Sequence, residues 1–190
     1  LDASIEITAS HLPMEMNGLK FFTRQGGFSG GDIKEILQYA QANPYIAPRC
    51  DAEVQMLPGM DKYCEDLCTM IKDGVNGEDY EHPLKGLKIV VDAGNGVGAF
   101  YAEKVLSVLG ADTDGSRFLE PDGTFPNHIP NPENKVAMQS ICDAVSESGA
   151  DLGVIFDTDC DRAACVDEKA QEINRNKLVA LASFIALKDN

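Results

Sequence analysis

The sequence is poor in residues that several common protein classes require. It contains no tryptophan and only three histidines, and it has 16 lysines and arginines against 31 aspartates and glutamates, for a formal net charge of −15. A chain this acidic lacks the basic face that binds nucleic acid or an anionic membrane without specificity, so neither partner is expected. No apolar run approaches the roughly 20 residues of a membrane span, and we expect no span.

Cysteine spacing also excludes some functions. The six cysteines form no CxxC pair, and no Cys/His spacing suits a zinc site. Most of them stand in apolar patterns, as small core residues do, which favours reduced thiols in an intracellular protein. Leu1 begins inside an already patterned segment, without an initiator Met or a signal peptide, so we expect the chain to be a piece of something longer.

What is present is typical of a globular protein, with 44% hydrophobic and 25% charged residues. Segments with strand-like patterns alternate with segments of helical spacing, which predicts an α/β fold with mixed, mainly parallel sheets and flanking helices. Ser29 and Asp32 predict a capping box at the first helix. The predicted strands are 3–7, 18–23, 88–93, 113–119, 151–156 and 164–167, and the predicted helices are 33–40, 60–72, 99–109, 133–148 and 178–187.

Three carboxylates follow one buried strand. Asp157, Asp159 and Asp161 come directly after the apolar residues of GVIF and alternate along the chain, so in an extended segment they project to one side. Oxygen ligands without His or thiolate suit Mg²⁺, with Ca²⁺ or Mn²⁺ as alternatives. A solvated turn is the simpler alternative. An EF-hand loop is excluded, because Arg162 stands where that loop needs glycine and because a strand precedes it.

A glycine-rich turn at 94–99 offers a different function. GNGVGA follows a predicted strand and precedes a helix, which matches the G-x-G-x-x-A form of a dinucleotide-binding turn, and Asp114 stands where a ribose-binding acid is expected. Tight turns and close helix packing require the same glycines. We therefore favour a structural role for this turn.

Ser10 and His11 lie in a loop between the first two predicted strands. Adjacent side chains rarely form a proton relay, and no GxSxG motif surrounds Ser10, so the sequence gives little support to a hydrolase. A serine placed against a divalent cation can instead take up and release a phosphoryl group. A surface turn remains the simple alternative.

Five segments in one order resemble the α-D-phosphohexomutases, the phosphoglucomutase/phosphomannomutase family. The resemblance implies that residues 1–50 are the C-terminal part of the family's domain 1, that 51–86 form an inter-domain helix and linker, and that 87–190 belong to domain 2. The five segments are TASHLP (8–13), NGLKFF (17–22), DAGNGVG (92–98), FPNHIPNPE (125–133) and DTDCDR (157–162).

The resemblance implies an isomerase that interconverts hexose 1-phosphate and hexose 6-phosphate, with hexose 1,6-bisphosphate as activator. Glucose is favoured over mannose and N-acetylglucosamine. Ser10 would be the phosphoserine, with His11 beside its phosphate. Lys20 would assist proton transfer, and Arg162 would contact the bound phosphosugar. The implied cofactor is Mg²⁺, held by Ser10, Asp157, Asp159 and Asp161.

Three positions depart from the family pattern. Thr158 and Cys160 replace the glycines of DGDGDR, and Leu12 stands where Asn is usual. A catalytically reduced, mutase-derived subunit that binds a partner is therefore a second hypothesis. Such variants resemble plastid proteins, so plastid stroma is favoured over cytoplasm. The family's third and fourth domains are not part of residues 1–190, so we expect this segment alone to be inactive and to work with the remaining mutase domains or a larger assembly.

Overall fold

The computed structural model describes residues 2–42 and 53–188, which fall into two compact units, Leu1–Pro58 and Gly59–Asn190. Residues 43–52, which include Cys50 and the start of the predicted inter-domain segment 51–86, lie outside the described residues. The five cysteines that the structure describes are free thiols. In the two described ranges, no helix combines the length and the apolar character needed to cross a membrane.

The first unit contains a small antiparallel sheet and one helix. Strand β1 (Ala3–Ile7) pairs with β2 (Leu19–Thr23), which pairs with the short β3 (Gly26–Gly27). Helix α1 (Gly30–Gln41) begins with the predicted capping box: the Ser29 side chain accepts from the Asp32 N–H, and the Asp32 carboxylate accepts from the Ser29 N–H. The connection between β1 and β2 carries Ser10.

The second unit is built on a three-stranded mixed sheet. Strand β5 (Leu152–Phe156) lies in the middle, parallel to β4 (Ile89–Asp92) and antiparallel to β6 (Ala163–Asp167). Helix α3 (Lys135–Ser148) packs on this sheet through Ile141 and Val145, both fully buried. The sheet and α3 therefore form the main core of this unit.

Three further helices belong to this unit. Helix α2 (Gly59–Val75) buries Cys64 and Cys68 against Val105 and Leu109, at a short π-helix (Tyr101–Leu106) and the turn after it. Helix α4 (Arg175–Lys188) is exposed over most of its length. Its first residue, Arg175, donates to the Glu133 carboxylate and to the Pro132 carbonyl.

The predicted α/β class with mixed sheets and flanking helices is confirmed. Parallel pairing in the described ranges is confined to β4–β5 and to the bridges Lys88↔Asp112 and Asp92↔Arg117. The predicted strand at 113–119 is wrong, because a turn at Gly115 interrupts the extended backbone between those two bridges. The helix predicted at 99–109 is helical over residues 99–106, most of it as the π-helix, and ends in a turn at 107–110.

Candidate functional site

The three carboxylates predicted to converge do so at the carboxyl end of β5. One oxygen from each of Asp157, Asp159 and Asp161 lies within 4.8 Å of the others. In an octahedral Mg²⁺ site with ligands about 2.1 Å from the ion, neighbouring ligand atoms lie about 3.0 Å apart and opposite ones about 4.2 Å apart. The three carboxylates would therefore have to approach one another by up to about 1–2 Å to bind a single ion, and this donor set fits a hard cation.

The metal loop, residues 157–162, closes on itself through its first and last residues. The Asp157 N–H donates to the Arg162 carbonyl over 3.2 Å, and the Arg162 N–H donates to Asp157 Oδ1 over 3.0 Å. Arg162 Nε also lies 3.8 Å from Asp157 Oδ2 and 3.8 Å from Asp161 Oδ1. The guanidinium is partly exposed, so it balances some of the negative charge while remaining accessible to an anionic ligand.

Burial and the neighbouring carboxylates act together on the Asp157 carboxyl. Asp157 is completely buried, and this burial raises the pKa of its carboxyl to about 6. The Arg162 backbone N–H opposes the increase, whereas a hydrogen bond with Asp161 and the charges of Asp159 and Asp161 add to it. The charged form of this carboxyl is thus destabilised in the protein alone, and a bound divalent cation would reverse that effect.

The two substituted glycines affect the metal loop unequally. Cys160 has φ 62°, in the left-handed region that favours glycine, whereas Thr158 does not have a positive φ. Only one replacement therefore strains the backbone, by about 1–2 kcal/mol. Burial, followed by the charges of the three nearby aspartates, raises the pKa of the Cys160 thiol to about 12, so the thiol stays protonated and is unsuited to ligate the metal.

The glycine turn at 94–98 packs directly beneath the metal loop. A Cβ on Gly96 would lie 2.7 Å from the Thr158 carbonyl oxygen, and one on Gly98 would lie 3.1 Å from Cys160 Sγ. The Val97 N–H donates to the same Thr158 carbonyl over 3.0 Å. Close packing accounts for these glycines, which supports the structural interpretation over dinucleotide binding.

Sequence reasoning missed a buried polar cluster beside this turn. The carboxylate of Asp92, at the end of β4, accepts hydrogen bonds from His128 Nε2 at 3.0 Å and from Ser140 Oγ at 2.6 Å. Burial alone would lower the pKa of His128, but the hydrogen bond and charge of Asp92, with the Ile129 carbonyl, outweigh it and raise the pKa. The available signal was a histidine within FPNHIPNPE, a segment whose prolines and asparagines otherwise predict a loop.

Ser10 has a strained backbone in the first unit. Its φ is 54°, unusual for a residue other than glycine, and its N–H donates to Thr8 Oγ1 over 2.9 Å. Ser10 Oγ lies 3.2 Å from His11 Nδ1, so the structure brings these two predicted residues within hydrogen-bonding distance. Strained backbone conformations that the surrounding structure maintains are concentrated at functional positions.

Lys20 lies on β2, directly opposite Glu6 on β1. Its Nζ is 3.5 Å from Glu6 Oε2, and both side chains are about half exposed. The predicted site residues are therefore divided between the two units: Ser10, His11 and Lys20 lie in the first, and the triad and Arg162 in the second.

Comparison with known proteins gives matches over nearly all of the chain. Residues 61–171 match the family model for phosphoglucomutase/phosphomannomutase, alpha/beta/alpha domain II, and residues 1–45 match the model for domain I. A phosphomannomutase from Salmonella montevideo is 34% identical, covering 95% of this chain and 40% of its own length. A phosphoglucosamine mutase from Alkaliphilus oremlandii is 33% identical, covering 98% of this chain and 40% of its own length.

Solved structures agree with these matches. A phosphoglucomutase/phosphomannomutase family protein from Burkholderia thailandensis is similar with a TM-score of 0.75 and 27% identity, covering 100% of this chain and 39% of that one. A phosphoglucomutase from Neisseria meningitidis is 28% identical in sequence, covering 99% of this chain and 38% of its own length. The chain thus spans about 40% of the length of the curated relatives it matches.

Proposed function

This chain belongs to the phosphoglucomutase/phosphomannomutase family, and we propose that it carries the phosphoserine and the metal centre of an isomerase that interconverts hexose 1-phosphate and hexose 6-phosphate. The convergence of Asp157, Asp159 and Asp161 beside Arg162 is the observation that carries the proposal. We also retain as a proposal the domain assignment of 1–50, 51–86 and 87–190.

In the proposed reaction, Ser10 carries the phosphoryl group. The bond between the phosphorus and Ser10 Oγ breaks as a bond forms to a free hydroxyl oxygen of the sugar phosphate, which gives a hexose 1,6-bisphosphate. The other phosphoryl group of that bisphosphate then returns to Ser10, leaving the isomeric monophosphate. In the first transfer the proton of the attacking hydroxyl passes through Lys20 to Ser10 Oγ as the phosphoryl group leaves, and in the second transfer it passes back from Ser10 to the departing sugar oxygen.

The remaining residues bind and orient charge. Arg162 binds the anionic sugar phosphate, and His11 lies beside the phosphate on Ser10. Asp157, Asp159 and Asp161 would hold Mg²⁺, and Ser10 is proposed as a further ligand through an oxygen of its phosphate. Mg²⁺ when bound would withdraw charge from the phosphoryl oxygens.

Phosphopeptide mapping tests the role of Ser10. After incubation with glucose 1,6-bisphosphate and Mg²⁺, we expect one added phosphate on the peptide that contains Ser10. The matched control is Ser4→Ala, which removes an exposed hydroxyl of β1 and should leave phosphorylation intact, whereas Ser10→Ala should abolish it. Phosphate found only on another residue would overturn the mechanism.

The sugar is tested by comparing bisphosphates in the same assay. Relatives named for mannose, glucosamine and glucose phosphates all match this chain, so glucose 1,6-bisphosphate and mannose 1,6-bisphosphate should be compared directly. We propose glucose as the preferred sugar, and faster transfer from the mannose compound would reverse that preference.

Metal binding is tested independently of activity. Mn²⁺, followed by electron paramagnetic resonance and displaced by Mg²⁺, should bind at one site. Asp159→Asn should abolish that binding. Asp114→Asn, which changes an exposed carboxylate outside the metal loop, should leave it unchanged. Retained Mn²⁺ binding in Asp159→Asn would remove the metal centre from the proposal.

A second candidate function is a catalytically reduced, mutase-derived subunit that binds a partner. The strained Cys160 in the metal loop and Leu12 in the serine loop favour it, because both depart from the family pattern. Absence of both phosphorylation and Mn²⁺ binding would favour this function. The plastid location stays a prediction, and the bacterial relatives do not support it.

A further inference from the structure

We propose that the buried Asp92–His128 pair is a clamp that positions the metal loop through the glycine turn, with His128 as a positioning residue. Ser140, whose hydroxyl also donates to Asp92, completes the clamp, so that the clamp consists of Asp92, His128 and Ser140. It rests on the proposed function, because its consequence is the geometry of the proposed metal site. Neither residue of the pair contacts the three aspartates through any of the hydrogen bonds described here.

The pair has the hydrogen bonding of a buried ion pair. Side chains of both residues are almost fully buried, with 0% of Asp92 and 2% of His128 exposed. His128 Nε2 lies 3.0 and 3.2 Å from the two Asp92 oxygens, and Nδ1 lies 3.0 Å from the Ile129 carbonyl. Because both ring nitrogens face acceptors, the ring carries a proton on each nitrogen and is positively charged.

A catalytic relay among these three residues is excluded by their order. The Ser140 hydroxyl donates to Asp92 Oδ2, and His128 also donates to the Asp92 carboxylate. The carboxylate thus lies between the serine and the histidine, so the imidazole cannot take the hydroxyl proton as a nucleophile's base must. The cluster is not a hydrolytic centre.

The clamp holds the start of the glycine turn. Asp92 Oδ1 accepts the Gly94 N–H over 2.9 Å, so one oxygen bonds both the turn and the histidine. A Cβ on Gly94 would lie 3.1 Å from His128 Cε1 and 3.0 Å from Pro130 Cβ. The ring and the proline therefore cover this turn, where Gly94 has φ 54°, a left-handed conformation that glycine adopts readily.

The glycine turn also supports the metal loop. The Val97 N–H donates to the Thr158 carbonyl, and Gly96 leaves room for the Thr158 backbone, whose carbonyl oxygen would lie 2.7 Å from an added Cβ. Thr158 stands between Asp157 and Asp159. A continuous set of contacts therefore leads from His128, through the turn, to the backbone that separates two of the proposed ligands.

The first test measures Mn²⁺ affinity in His128→Leu and His128→Gln. Outer residues that orient a metal site commonly change affinity by about 10–100-fold, and we expect at least about a tenfold loss in His128→Leu. His128→Gln keeps one donor toward Asp92 and should recover part of that loss. The matched control is His82→Leu, since His82 is exposed and pairs only with Asp79 in the bonds described, and its affinity should equal that of the wild type.

The second test separates positioning from general stability by amide hydrogen exchange. In His128→Leu, the Val97 amide should exchange at least about tenfold faster relative to the amide of Val154, in the central strand β5. Equal acceleration of both amides would show a merely structural role and would overturn the clamp. Unchanged Val97 exchange would overturn it as well.

Further variants and a comparison of the two tests separate failure of the clamp from failure of the metal proposal. If His128→Leu does not fold, His128→Gln and Ser140→Ala, which removes only the 2.6 Å bond to Asp92, carry the same two measurements. If the wild type binds no Mn²⁺ but Val97 exchange responds selectively, the metal proposal fails and the clamp stands. If Mn²⁺ binds with equal affinity in all variants, the metal proposal stands and the clamp fails.

Discussion

Two residues of the candidate site, Ser10 and Cys160, hold left-handed backbone conformations, with φ of 54° and 62°. Each conformation costs a residue other than glycine about 1–2 kcal/mol, so neighbouring contacts must stabilise it. Thr8 does so at Ser10, by accepting its N–H. At Cys160 the stabilising contacts come from burial of the thiol beside Gly98 and the core residues around Phe156.

Substituting Cys160 by glycine tests that strain. Loss of the buried thiol destabilises the fold, but relief of the left-handed backbone offsets it, so the free energy of unfolding should stay within about 1 kcal/mol of the wild type. Cys165→Gly is the matched control, because Cys165 lies in β6 without a positive φ. It should cost about 2 kcal/mol more than Cys160→Gly in urea unfolding. Equal costs would contradict the strain at Cys160.

The raised pKa of Asp157 predicts an unusual dependence of stability on pH. The folded-state pKa of this carboxyl is raised to about 6. Its contribution to the stability of the fold is therefore fully present below the pKa of the unfolded chain, and it is lost as the pH rises through 6. With a chelator present, the free energy of unfolding of the wild type relative to Asp157→Asn should therefore increase by about 1 kcal/mol between pH 7 and pH 5.

Asp112 provides the opposite case for that measurement. Hydrogen bonds from the Asp114 backbone and from Lys88 hold the pKa of Asp112 below its ordinary value. Its contribution is present above the unfolded pKa and is lost only as pH falls through the lower folded value. The free energy of unfolding of the wild type relative to Asp112→Asn should therefore not increase between pH 7 and pH 5. An increase of equal size for Asp157→Asn and Asp112→Asn would contradict the assignment of the effect to Asp157.

At the scale of elements, the contact between α3 and β5 sets the position of the strand that ends at the triad. A Cβ on Gly153 would lie 2.6 Å from Val145 Cγ2 and 2.9 Å from Ile141 Cγ1, so the helix lies against bare backbone. Any larger residue at Gly153 would push α3 away from β5 or shift the end of β5.

Gly153→Ala should therefore lower the free energy of unfolding by about 1–3 kcal/mol through overpacking. Val145→Ala opens the space that the new methyl group needs. The double variant should be less destabilised than the sum of the two single variants, by about 1 kcal/mol in a double-mutant cycle. Gly123→Ala, where nothing lies within 4 Å of an added Cβ, is the control. Additive effects in the cycle would contradict the packing explanation.

At the scale of the whole molecule, the chemical groups of the proposed reaction occur in two units of one acidic chain. Phosphoryl transfer requires the sugar to be held in line with the serine, and binding of remote parts of a substrate supplies much of that positioning. The relatives that this chain matches are longer, and the chain spans about 40% of them.

A polypeptide of residues 1–190 should therefore accept phosphate on Ser10 slowly, without steady turnover. Glucose 1-phosphate should not be converted continuously to glucose 6-phosphate in a coupled assay, even with Mg²⁺ and glucose 1,6-bisphosphate. Single phosphoryl exchange should be detectable by intact mass and lost in Ser10→Ala. Steady turnover that Ser10→Ala abolishes would show that residues 1–190 suffice to position the sugar.

The sequence by itself determined the features that arise from local interactions. The capping box of Ser29 and Asp32, the strand at Ala3–Ile7 and the alternation of Asp157, Asp159 and Asp161 after a buried strand depend on residues close together in the chain. Propensity, capping and side-chain alternation are short-range effects, so they can be read from sequence. The order of the five motifs along the chain likewise sufficed to identify the family.

Only the tertiary structure decided what depends on residues distant in sequence. His128, in the loop before α3, meets Asp92 across 36 positions. Gly96 meets Thr158 because the parallel pairing of β4 and β5 brings the carboxyl ends of these strands together. The strand predicted near Thr113 is absent, because a turn at Gly115 interrupts the backbone between the bridges at Asp112 and Arg117. Packing and buried charge act between residues that only the fold makes neighbours, and local patterns carry no record of those contacts.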